Sequence, residues 1–146
     1  MSTHSLTAPA RETVTPARAF AAIFGLTYLA VGVVGFFFTG FHGFAAMNGP
    51  KLLGVFMVNP LHNLVHIALG AAWLVAARSH HRARLVNLAI GGLLGLVTVL
   101  GFAHFLMFLG IPDLGAPDNF LHLLSATLAL YFGSLGADRL PADTRA

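Results

Sequence analysis

Four apolar runs, over about residues 19–39, 60–77, 85–110 and 119–137, constrain this chain more than any other feature. The first of them, Ala19 to Phe38, holds no charged side chain. At about 20 residues it exceeds the core of a secretory signal, roughly 7–15 residues, and matches the length of a bilayer-spanning helix. Only 9% of the 146 residues are charged and mean hydropathy is +0.80. A soluble domain carries about 25% charged residues. The chain is too poor in polar side chains to cover itself in water, so its expected solvent is lipid. In lipid the backbone must bond internally, which makes helices the expected element. The fold class that follows is all-α, a membrane four-helix bundle.

The charges that remain set the orientation. Arg11, Arg18, Arg78, Arg82, Arg84, Arg139 and Arg145 fall in the N-terminal tail, the second connection and the C-terminal tail, and only Lys51 falls elsewhere. The positive-inside rule then puts both termini in the cytoplasm. Residues 1–17 read as a disordered cytoplasmic tail, 18–138 as the transmembrane domain and 139–146 as a second cytoplasmic tail. Residues 40–58 read as an interfacial, partly re-entrant link. Basic residues flanking apolar runs indicate membrane anchoring, so the bilayer is the expected partner and nucleic acid is not. A homo-oligomer or a larger membrane complex is compatible with loops this small. The chain has no cysteine, which excludes disulfides, thiolate ligands and iron–sulfur clusters.

Small residues mark the packing faces. Gly25, Tyr28, Gly32, Gly35 and Thr39 share one face of the first helix, and Gly91, Gly92 and Gly95 lie on the third. Asn59-Pro60-Leu61-His62 and Asn119-Phe120-Leu121-His122 match at an offset of 60, which suggests two similarly oriented hairpins.

Chemistry concentrates in histidines. His62 and His66 stand four apart, hence on one helical face. With this topology His62, His66, His104 and His122 all fall between about 3 and 9 Å of the outer helix ends, and His42 lies above them. Imidazoles from several helices at one depth suit a borderline metal, copper or zinc. Met57 and Met107, at a similar level, would tilt the choice toward copper. Haem b is the other candidate, with His66 and either His104 or His122 as axial ligands. Asn59, Asn63 and Asp118 are placed to orient these rings from behind, and Asp118 is also a possible direct ligand. The competing reading is a polar network that knits the helices of an accessory subunit. No serine or cysteine nucleophile arrangement accompanies the histidines, so enzyme activity is the less favoured expectation.

The segment Asn59-Pro60-Leu61-His62-Asn63-Leu64-Val65-His66 with Gly70, together with Asp118-Asn119-Phe120-Leu121-His122, resembles a family of small bacterial four-helix membrane proteins of unknown function. The resemblance covers about residues 18–137. It implies an integral protein of the bacterial inner membrane with four spans, and no reaction.

Overall fold

The computed structural model describes residues 14–135. It contains α1 (Pro16–Thr39), a two-stranded hairpin of β1 (Lys51–Leu52) and β2 (Phe56–Met57), α2 (Pro60–Ala76), α3 (His80–Phe102), a 3-10 turn (Met107–Leu109) and α4 (Pro117–Ser134). The fold is an all-α four-helix bundle. α1 and α3 are long and apolar enough to cross a membrane, while α2 is a shorter apolar helix of 17 residues. Apart from residues 14–17, the two expected tails lie outside the described residues.

Helix starts follow from local chemistry. Pro16, Pro60 and Pro117 open α1, α2 and α4, where a missing N–H costs nothing and φ is already helical. The Thr15 hydroxyl accepts from the Arg18 N–H, and the Asn59 side chain accepts from the His62 N–H at 2.9 Å. The connection between α2 and α3 is shorter than the basic loop expected over 78–84, because α3 already begins at His80. Arg82 and Arg84 therefore lie on α3, and His80 meets the Thr15 hydroxyl at 2.9 Å.

The link over 40–58 turns back on itself. Lys51 pairs with Met57 and Leu52 with Phe56, antiparallel. Leu53 and Gly54 take positive φ at the tip.

The bundle is two hairpins, α1 on α2 and α3 on α4, and they repeat each other. Adding 66 to a number in α1, or 56 to one in α2, gives the equivalent residue. Arg18 Nε donates to the Ala77 carbonyl at 2.9 Å, and Arg84 Nε donates to the Gly133 carbonyl at 3.1 Å. A Cβ on Gly25 would press on Leu74, and one on Gly91 on Leu130. The Asn63 amide lies over Gly35, and the Asn119 amide over Gly101. The true register therefore equates Asn63–His66 with Asn119–His122. The offset of 60 expected from the sequence is one helical turn out on α2.

At the end of the bundle where α1 begins and α4 ends, the core is apolar and aromatic. Trp73 is fully buried, with Phe20, Phe24 and Tyr28 edge-on around it at 5.0–6.0 Å. Its indole N–H donates to the Asn87 side chain at 3.0 Å, and Asn87 in turn donates to the Ala17 carbonyl at 3.2 Å. One buried amide thus ties α1, α2 and α3 together. The histidines gather at the opposite end.

Candidate metal centre

His62 and His66 project from the first two turns of α2, and His122 from the second turn of α4. All three are buried, at 5%, 6% and 4% exposure. One donor nitrogen from each lies within 4.8 Å of the others. His62 Nε2 and His66 Nε2 are 3.1 Å apart, and the His122 ring centroid is 6.1 Å from both of the other rings. The i,i+4 spacing stacks two imidazoles on one face of α2, and the repeat brings the equivalent of His66 in from α4.

The surroundings hold the rings in place. Tyr28 of α1 stacks on His66 with centroids 4.6 Å apart and planes at 19°; helical spacing places Tyr28 on the small face of α1 but does not disclose this contact. The backbone carbonyls of Met57 and Leu109 lie beside His62. Val65, Leu69, Leu94, Val97 and Ile111 wall a cavity of about 270 Å³ against the three histidines.

Polar atoms without a good partner collect here. His62 Nδ1, His66 Nδ1, His122 Nδ1 and Asp118 Oδ2 are all buried with no hydrogen bond of good geometry among the described residues. Buried polar groups are nearly always bonded, so these orphaned ring nitrogens and carboxylate oxygen set this end of the bundle apart as its polar site. Asp118, in the first turn of α4, is 4% exposed, and its Oδ1 lies 3.9 Å from His62 Nε2.

His104 does not join this group. α3 ends at Phe102, well before the expected limit near residue 110, and His104 follows with φ +64° and an exposed side chain. Its N–H bonds to the Gly101 carbonyl at 3.1 Å, and the Phe105 N–H to the Leu100 carbonyl at 2.9 Å. This is the Schellman closure, with histidine in the left-handed position usually taken by glycine. His104 caps a helix end and faces outward, so it can be neither a metal ligand here nor an axial partner for His66. His42 is also exposed.

Asn59 and Asn63 likewise do other work. Asn59 caps α2 and donates to the carbonyls of Ala46 at 3.0 Å and Phe108 at 2.7 Å, stitching the link and the 3-10 turn to the helix. Asn63 donates to the Thr39 hydroxyl at 2.9 Å and joins α1 to α2. Neither orients an imidazole. Met107 is exposed, and Met57, half-buried in β2, brings its backbone carbonyl beside His62.

The family model of a domain of unknown function, DUF4383, matches residues 18–135. The chain belongs to this family. The match spans all four helices except the first two residues of α1, and it includes every histidine of the cluster. No curated protein and no solved structure matches the chain.

Proposed function

We propose that this DUF4383 protein is an integral membrane protein of the bacterial inner membrane that holds a transition metal ion on His62, His66 and His122, for metal handling or electron transfer. The observation that carries the reading is the convergence of three buried imidazoles on one point. Neutral imidazole is the commonest ligand for zinc and copper, and three of them leave a fourth position to be filled.

Several features support the membrane setting. Large apolar side chains such as Ile23, Leu26, Phe37, Leu96, Val99 and Leu124 point outward around the bundle. Patches this extensive are costly in water and natural in lipid. Arg18, Arg82 and Arg84 lie at the end of the bundle opposite the histidines. With that end in the cytoplasm, the cluster lies toward the outer face.

A single ion suits the site better than haem b. Two axial histidines must stand on opposite faces of a flat macrocycle. Here His62 Nε2 sits 3.1 Å from His66 Nε2, in the space such a ring would need.

The test is elemental analysis of protein purified in mild detergent and reconstituted with Zn2+ or Cu2+. One ion per chain, lost in His66→Ala and His122→Ala, supports the reading. A second reading has the histidines as an interhelical network of an accessory subunit, and the His62–His66 contact at 3.1 Å favours it. In that case the same variants lower the melting temperature while the wild type carries no ion.

A further inference from the structure

Resting on that metal reading, we propose that Asp118 is the fourth ligand. The site is then three imidazoles and a carboxylate, suited to a divalent borderline cation such as Zn2+ in preference to Cu+.

The repeat supplies the first argument. His66 corresponds to His122, and the same offset of 56 makes Asp118 the counterpart of His62. Each hairpin thus offers an i,i+4 pair from the start of its second helix, His62 with His66 and Asp118 with His122. The two pairs meet at one end of the bundle, where His62 and Asp118 approach to 3.9 Å.

Geometry supplies the second. A carboxylate that merely orients a ligand histidine bonds the ring nitrogen that the metal does not use. Asp118 Oδ1 instead lies 3.9 Å from His62 Nε2, the same nitrogen that meets His66 Nε2 at 3.1 Å. With bonds of about 2.0–2.2 Å, tetrahedral ligands stand roughly 3.4 Å apart. The two separations from His62 Nε2 bracket that figure; the carboxylate stands outside the 4.8 Å within which the three histidine nitrogens gather, so a rotation of the Asp118 side chain would complete the set.

Charge supplies the third. Asp118 is 4% exposed, its Oδ2 has no partner, and among the described residues no lysine or arginine pairs with it. Buried carboxylates are characteristically paired or bound to a metal. Carboxylate oxygen is a hard donor that disfavours Cu+ and suits divalent ions. A depression of about 340 Å³ lined by Lys51, Met57, Gly110, Asp113 and Asp118 opens on the Asp118 side of the cluster.

The experiment compares wild type, Asp118→Asn, Asp118→His and His122→Ala, purified in detergent and checked for folding by thermal melting. Zn2+ affinity is read by chelator competition, and coordination by the visible spectrum of bound Co2+. Losing an outer partner typically costs 10–100-fold in affinity and leaves the coordination intact. Losing a ligand is expected to cost more than about 100-fold and to change the Co2+ bands. The proposal therefore expects Asp118→Asn to show both effects. It expects Asp118→His, which returns a donor, to regain four-coordinate Co2+ bands and a relatively greater affinity for Cu+. An unaltered Co2+ spectrum in Asp118→Asn, with His122→Ala still abolishing binding, overturns the role of Asp118 and leaves the histidine site standing. If Asp118→Asn does not fold, the Asp118→His spectrum decides, and failure to bind Co2+ there counts against the proposal. A wild type that binds neither ion removes the metal reading itself.

Discussion

At the scale of single residues, the site depends on which histidines the backbone turns inward. The i,i+4 spacing of His62 and His66 was legible because helical geometry alone puts both on one face. His122 was legible from its depth on another helix. His104 was misplaced because nothing in Gly101-Phe102-Ala103-His104 signals a helix end, and a non-glycine residue at the left-handed position hides the stop. His104→Ala should leave metal binding intact. His104→Gly should raise stability by up to about 1 kcal/mol, because glycine takes positive φ without steric cost; thermal melting in detergent checks this. A fall in melting temperature would mean the His104 side chain makes a contact that matters. Protons compete with metal for imidazole. Zn2+ affinity should therefore fall once the pH is acid enough for protons to occupy the ring nitrogens.

At the scale of elements, close approach of helix pairs depends on a few glycines. The small face of α1 was legible in the sequence, since Gly25, Gly32 and Gly35 recur at helical spacing and all are buried. The pattern on α3 was read less well: Gly91 faces α4, but Gly92 and Gly95 have open space around them. What the sequence could not convey was which glycine meets which partner, because that depends on hairpin register. Gly25→Ala puts a methyl 2.9 Å from the Leu74 backbone nitrogen, so it should destabilise by about 1–3 kcal/mol. Its counterpart Gly91→Ala meets the Leu130 nitrogen at 3.0 Å and should behave alike. Gly92→Ala and Gly95→Ala should be neutral or stabilise by up to about 1 kcal/mol, through helix propensity alone. Melting curves of the four variants distinguish the two classes, and equal effects at all four positions would refute the assignment of contact faces. The β1–β2 hairpin was not foreseen. Its strands are two residues long, below what alternation can reveal.

At the scale of the whole molecule, the four helices were legible because apolar length is a strong signal, whereas the repeat was visible only in outline. Matching Asn59–His62 to Asn119–His122 favoured the most similar words. The structure instead matches contacts: arginine to carbonyl, glycine to leucine, asparagine to glycine. That correction makes Asp118 the counterpart of His62. The proposed orientation can be checked directly, since the chain has no cysteine. His42→Cys should react with a membrane-impermeant maleimide on intact cells, and Arg78→Cys only after permeabilisation; the reverse pattern would invert the topology. The account as a whole depends on the histidines holding an ion. The most direct measurement is the metal content of the purified, reconstituted full-length protein beside its His66→Ala and His122→Ala variants. The account predicts one divalent ion per wild-type chain and less than a tenth of that in either folded variant. A wild type that retains no ion, or variants that retain as much as the wild type, would contradict it.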